Sequence, residues 1–262
     1  MHRLFSTTIV GASLLAFSSD AATLFNSGGF EGPAYTLGNL SGQNSFASAG
    51  SPTAETVENS VVKSGSQAVQ LAGATTTWDW PSLEYTPAAN EIVRVSFDVR
   101  RSAFTANNHF GYFIDVYSTT AEGGNRVART GLVRTGTATV PGSVQGLVTI
   151  GGGAPGSYLV GSPLLNDTWY NFVMDMDFAS DTFSVSIDGT IVGTALPFVT
   201  PSLGIGDADL QISSVAGGTD LGFIDNYKVE ALLVPEPGIF SFAAMSGLAL
   251  LIFRRRWGSL QK

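Results

Sequence analysis

The sequence predicts an all-β chain: a jelly-roll β-sandwich flanked by an N-terminal signal peptide and one C-terminal transmembrane helix. Three observations carry this expectation. Apolar residues recur with period two in several short segments, the spacing that places alternate side chains on opposite faces of a strand. Glycine (31 of 262 residues) and proline (11) punctuate these segments, and only 13% of residues are charged, which is the composition of turns and not of solvated helical faces. Both ends differ from the middle, each carrying an uncharged run beside basic residues.

Met1-His2-Arg3 is a basic tip, Leu4 to Phe17 carries no charge, and Ser19-Asp20-Ala21-Ala22 is an exit of small residues. This tripartite order is that of a secretory signal peptide. Ser19 and Ala21 fit the small −3 and −1 positions, so cleavage is expected after Ala21, giving a signal peptide of residues 1–21.

The middle, residues 22–233, is expected to form one sandwich domain. Val93, Val95, Phe97 and Val99 alternate with Arg94, Ser96, Asp98 and Arg100. In the strand Phe110 to Tyr117, Tyr112, Ile114 and Val116 fall on one face, and Phe113, Asp115 and Tyr117 on the other. Tyr170, Phe172, Met174, Met176 and Phe178 form a third alternation, and Phe183, Val185 and Ile187 a fourth. Asp188-Gly189 then supplies the positive φ angles of a tight hairpin before Thr190-Ile191-Val192. Gly151 to Ser157 reads as a flexible loop. No twelve-residue window carries a helical stripe, and no repeat or second domain is evident. Short strands joined by glycine-rich turns imply a sandwich or jelly roll.

After Val234-Pro235-Glu236-Pro237, residues 238–253 carry no charge, and Arg254-Arg255-Arg256 follow. As a helix this run is ~24 Å long, short for a ~30 Å bilayer core but workable with thinning or snorkelling. The arginines belong in the cytoplasm, which places the domain outside. This arrangement of residues 234–262 resembles the PEP-CTERM sorting signal of exopolysaccharide-producing bacteria. The resemblance implies recognition of Pro235, Glu236, Pro237 and the arginine cluster, and cleavage by an exosortase-type membrane protease. The helix would then be a temporary inner-membrane anchor, with signal peptidase acting at the other end. The destination it implies is the cell surface or extracellular matrix.

Composition removes several chemistries. The net charge of −8 argues against nucleic acid and anionic lipid. The 22–233 domain is more acidic still, with eight basic and nineteen acidic residues. The absence of cysteine removes disulfides, thiolate metal sites and cysteine nucleophiles. After signal removal only His109 remains, and no Gly-x-Ser-x-Gly elbow occurs, so a serine triad is not expected.

Trp169-Tyr170-Asn171-Phe172, the strand bearing Asp175 and Asp177, and Phe183 to Gly189 resemble the paired strands of concanavalin A-like or laminin-G-like sandwiches. Phe30-Glu31-Gly32 and Phe223-Ile224-Asp225-Asn226 are similar to the first and last strands of such jelly rolls. This resemblance implies lectins, glycosidases or structural modules. It also allows a structural calcium near the termini at Glu31 and Asp225, brought together on adjacent strands. Asp207 and Asp209 in Gly-Asp-Ala-Asp form another acidic pair, with turn and capping roles as the plain reading. Asp175 and Asp177 share a strand face, yet Asp175-Met-Asp177-Phe-Ala-Ser lacks both glutamates of the sandwich glycosidases' Glu-x-Asp-x-x-Glu strand. For sugar contact, Trp78-Asp79-Trp80 places two indoles on one side of an extended segment; Tyr85 follows, and Tyr117 lies on a second strand. The resulting expectation is an exported, non-enzymatic surface or matrix protein contacting polysaccharide through Trp78, Trp80 and Tyr117. The alternatives are a secreted glycoside hydrolase of the concanavalin A-like class and a ligand-free structural surface protein.

Overall fold

A computed structural model describes residues 21–49, 55–72, 77–102, 111–118, 125–134, 144–151, 156–213 and 220–234, without the side chains of Ala49, Thr77, Trp78 and Val144. The sorting residues Pro235, Glu236, Pro237, Arg254, Arg255 and Arg256, the signal peptide before Ala21, and His109 lie outside the described residues. Two antiparallel sheets face each other. The nine-stranded sheet runs β14 (Thr190–Pro197), β13 (Thr182–Ile187), β12 (Trp169–Asp177), β7 (Glu91–Arg101), β16 (Gly222–Leu233), β5 (Ala68–Leu71), β4 (Glu55–Glu58) and β2 (Gly38–Asn39). β1 (Ala22–Asn26) also pairs with β16. The seven-stranded sheet runs β11 (Gly156–Leu164), β10 (Val144–Ile150), β9 (Arg126–Arg134), β8 (Gly111–Tyr117), β15 (Ile205–Ser213), β6 (Thr77–Tyr85) and β3 (Phe46–Ala49). Among the described residues the only helix is the single 3-10 turn Gly28–Phe30.

The period-two segments are strands, and their apolar faces point inward. Val93, Val95, Phe97 and Val99 of β7 meet Phe172, Met174 and Met176 of β12, with Phe97 and Phe172 stacked at 5.6 Å. Tyr112, Ile114 and Val116 of β8 line the same core from the opposite sheet, beside Ala208, Leu210 and Ile212 of β15. Each fully buried Val, Ile, Leu, Phe or Met side chain among these contributes roughly 1.5–3 kcal/mol. The hairpin between β13 and β14 turns at Asp188 (φ 49°) and Gly189 (φ 75°), as two consecutive positive φ angles require. One end of the core is closed by an ion pair, Arg101 to Asp220 at 2.7 Å, with neither side chain exposed. The Tyr112 hydroxyl donates to the Asp220 carbonyl at 2.9 Å.

Three expectations are corrected. Gly156 and Ser157 belong to β11 and not to a loop, since their backbones continue the ladder with Ile150 and Thr149. Glu31 is not on the first strand: it follows the 3-10 turn after β1, so only Asp225 is a strand residue. Asp207 and Asp209 are neither turn nor cap; they sit within β15, between β6 and β8, where ladder bonds on both edges hold the backbone extended.

Candidate functional site on the seven-stranded sheet

In β15 the residues Ala208, Leu210 and Ile212 enter the core, so Asp207, Asp209 and Gln211 point to the outer face. Register sets their neighbours. On β8, Asp207 stands opposite Tyr117, Asp209 opposite Asp115, and Gln211 opposite Phe113. On β9, Asp115 faces Arg129 and Tyr117 faces Arg126. On β6, Asp207 faces Ser82 and Gln211 faces Trp78, which puts Trp80 beside Asp209. Two residues expected to contact sugar, Trp80 and Tyr117, therefore flank the same strand, half-buried. The third, Trp78, occupies the adjoining backbone position, and its side chain lies outside the described residues.

The polar centre of this face is densely paired. Arg129 donates through Nε and Nη2 to the two carboxylate oxygens of Asp115, and also to Gln211 Oε1. Arg126 Nη2 reaches Asp115 Oδ2 at 3.1 Å and donates to the Tyr117 hydroxyl at 3.3 Å. The Arg129 guanidinium lies 4.7 Å over the Phe113 ring, and that of Arg126 lies 5.7 Å over Tyr117. Gly131, opposite Phe113, makes the close approach possible: a Cβ there would stand 2.2 Å from the Tyr112 carbonyl oxygen.

Asp207 and Asp209 are each 3% exposed, and the Oδ1 of each has no hydrogen-bond partner among the described residues. The two carboxyls lie within hydrogen-bond reach of each other, and burial pushes both upward; the Asp207 charge raises Asp209 further. Such a pair resists carrying two negative charges, so at least one member keeps its proton to a higher pH than a free carboxyl does. With Asp115 between two guanidiniums, the charges at the centre of the strip are paired.

Beyond Ser82, Asp207 and Tyr117, the ends of β6, β15 and β8 open into a cleft of about 580 Å³. Its lining includes Glu84, Tyr85, Ser118, Leu203, Gly204 and Gly206. The Tyr85 hydroxyl is fixed by donation to Glu91 at 2.7 Å. Ser202 Oγ donates to the Gly204 carbonyl at 2.7 Å and braces the rim, where Leu203 is 84% exposed. The Tyr85 ring, hydroxyls and backbone amides around an open cleft suit a ligand with apolar C–H faces and many hydroxyls.

The remaining candidates fall elsewhere. Asp175 and Asp177 project from the outer face of the nine-stranded sheet. Arg94 grips Asp175 at 2.7 and 2.9 Å, while Asp177 accepts from Ala179 N, Ser180 N and the Ser180 hydroxyl. Their oxygens are occupied in structure, and they do not form a reacting pair. Glu31 and Asp225 hold one loop from two sides. Glu31 accepts from Ser66 N, Ser66 Oγ and Gln67 N, and those bonds, led by the Ser66 hydroxyl, keep its carboxyl below the usual range. Asp225 accepts from Lys63 N and Ser64 N at 3.0 Å, yet burial still raises it. Among the described residues no group of three His, Cys, Asp or Glu side chains is arranged to hold a metal ion. Asp79 turns inward, opposite Leu210 and Ser48.

Asp115 is placed by the sequence on the face of Tyr117, but Arg126, Arg129 and the cleft residues Glu84, Ser118 and Leu203 were not singled out as candidates. The alternation across residues 205–212 is the one local signal for this face, with Asp207, Asp209 and Gln211 on one side and Ala208, Leu210 and Ile212 on the other.

No family model matches the chain, and no curated protein matches it significantly. Solved structures do. A conserved carbohydrate esterase from the Shiga toxin-encoding bacteriophage phi24B aligns with TM-score 0.55 and 15% identity, over 82% of this chain and all of that one. Peanut lectin bound to a nine-residue peptide aligns with TM-score 0.52 and 11% identity, over 83% of this chain and all of that one. Lectin II from Ulex europaeus gives TM-score 0.51 and 10% identity, over 75% and 96%. At these identities the likeness is one of fold, an all-β sandwich of the lectin jelly-roll type.

Proposed function

We propose that the chain is an exported, non-enzymatic surface or matrix protein that contacts a polysaccharide with the outer face and end cleft of its seven-stranded sheet. The observation that carries this reading is the convergence of Trp80, Tyr117 and the Tyr85 cleft on one end of that sheet, beside the paired polar strip of Asp115, Arg126 and Arg129. Rings cover the C–H side of a sugar, and the Glu84 carboxylate, hydroxyls and backbone amides around the cleft read its hydroxyls. The signal peptide ending at Ala21 brings the domain out of the cytoplasm. The Pro235-Glu236-Pro237 segment and Arg254 to Arg256 hold it at the inner membrane until an exosortase-type protease releases it. A calcium ion at Glu31 and Asp225 belongs to this reading as a structural brace near the chain termini.

Retention of the chain on immobilised polysaccharides, with and without calcium and a chelator, tests the proposal. Selective retention that weakens at least tenfold in Trp80→Ala and Tyr117→Ala is the expected result. No retention on any polysaccharide would leave a ligand-free structural protein. The glycoside hydrolase alternative needs two carboxyls about 5 Å or more apart across the sugar bond, and Asp207 and Asp209, buried and within hydrogen-bond reach of each other, do not have that spacing. Release of shortened sugars, lost in Asp207→Asn, would replace the binding reading by that one.

A further inference from the structure

The cleft at the ends of β6, β15 and β8 carries one sign of charge. Of the side chains that line it, Glu84 is the charged one. Two further carboxylates brace its walls: Glu91 accepts from the Tyr85 hydroxyl at 2.7 Å, and Asp181 accepts from Ser202 N at 3.2 Å. Arg126 and Arg129, on the neighbouring sheet face, are already bound to Asp115. Where the cleft meets that face, Asp207 follows the lining residue Gly206. It is 3% exposed, and its Oδ1 has no hydrogen-bond partner among the described residues. The backbone delivers Glu84 to the cleft. Between the pairs Ser82–Asp207 and Tyr85–Ile205, β6 has Leu83 and Glu84 where β15 has Gly206 alone. This extra residue is a β-bulge, with Glu84 in the left-handed region at φ 45°. Leu83 packs against the core, and Glu84 is left exposed at the cleft.

We propose that the polysaccharide taken by this cleft carries free amino groups, as an unacetylated amino-sugar polymer does. The inference rests on the polysaccharide reading above and adds the charge of the ligand. A cleft lined by one sign of charge focuses its field and concentrates ions of the opposite sign. Sugar polymers are charged either negatively, by uronate or sulfate, or positively, by ammonium. A uronate or sulfate here would face Glu84, Glu91 and Asp181. An ammonium group has three donors and no acceptor, so it suits the Glu84 carboxylate through charge-assisted hydrogen bonds. Asp207 Oδ1 offers a further acceptor at the inner end. The Tyr85 ring, held by Glu91, covers the C–H face of the same sugar. Acetylation of the amine removes its charge and two of its donors, and with them the advantage of an acidic cleft.

Calorimetric titration of the full chain in mild detergent tests this, at a mildly acidic pH where sugar amines are protonated. The probes are a soluble glucosamine hexamer, its fully N-acetylated form and a lysine hexapeptide. The glucosamine hexamer should bind roughly tenfold or more tighter than either of the others, and the difference should shrink at high salt. Glu84→Gln should remove most of that preference with unchanged circular dichroism. Glu58→Gln removes the same charge from β4 of the other sheet and should leave the preference intact. Equal affinity for the two sugar hexamers would overturn the inference and leave the polysaccharide reading standing. Binding of neither hexamer would overturn it as well, and retention on no other polysaccharide would take that reading with it. A lysine peptide bound as tightly as the glucosamine hexamer would show attraction of any polycation in place of sugar recognition. A preference that survives Glu84→Gln, or that Glu58→Gln reduces equally, would overturn the placement in this cleft.

Discussion

Asp79 shows how a single carboxyl can set a pH dependence. It faces the core, fully buried, with Ser48 on the adjacent strand as its polar neighbour. Burial pushes its pKa up to about 6 from 3.8. The folded state therefore keeps a proton that the unfolded chain gives up between those values. Stability falls as pH rises through that window and levels off above it. Replacing Asp79 by Asn should remove this decline and add up to about 3 kcal/mol near pH 7.5, with little change at pH 4. Urea unfolding at the two pH values checks this, and equal gains at both would refute it. Glu31 acts with the opposite sign: its lowered pKa contributes stability present above about pH 4.5 and lost as pH falls. A different outcome belongs to Asp220, whose removal takes from the buried Arg101 guanidinium its carboxylate partner at 2.7 Å. Asp220→Ala should cost about 3–5 kcal/mol, read as a lowered denaturation midpoint.

At the scale of elements, the meeting of β8 and β9 depends on Gly131. Any side chain there meets the Tyr112 carbonyl and the Phe113 backbone, so Gly131→Ala should destabilise by about 1–3 kcal/mol and loosen Arg129 from Asp115. Chemical denaturation, together with weaker polysaccharide retention, would register both effects. Among the strands legible in the sequence, β7, β12 and β13 alternate because their outer residues are less buried, while β8 is legible from Asp115 among apolar neighbours although it is buried on both faces. β15 is buried on both faces, and its Gly206-Asp207-Ala208-Asp209 start is spelled in turn residues, which hides the alternation of Asp207, Asp209 and Gln211 with Ala208, Leu210 and Ile212 until its neighbours are placed. The candidate face was half legible. Trp80 and Tyr117 stand out as aromatics on separate strands, but their convergence on Asp207 and Asp209 depends on register between segments more than 80 residues apart. No local pattern encodes that register. For the same reason Glu31 and Asp225 drew notice as a pair, while the loop between them, residues 63–67, did not.

For the molecule as a whole, the sorting proposal predicts a mature protein that begins at Ala22 and lacks Arg254 to Arg256. Intact-mass spectrometry of the secreted form checks this, and a mass that retains the arginines would contradict processing near Pro235. Placement of the last strand gives such a tethered protein a mechanical character. β16 is bonded along one edge to β7 and along the other to β5 and β1, and it ends at Leu233, immediately before the expected anchor. A pull on Val234 runs parallel to that strand. It loads both ladders in shear, so many hydrogen bonds must yield together instead of unzipping one by one. While the chain is held at its C-terminal end, the sandwich resists drag through its middle, and its exposed edges carry none of the load.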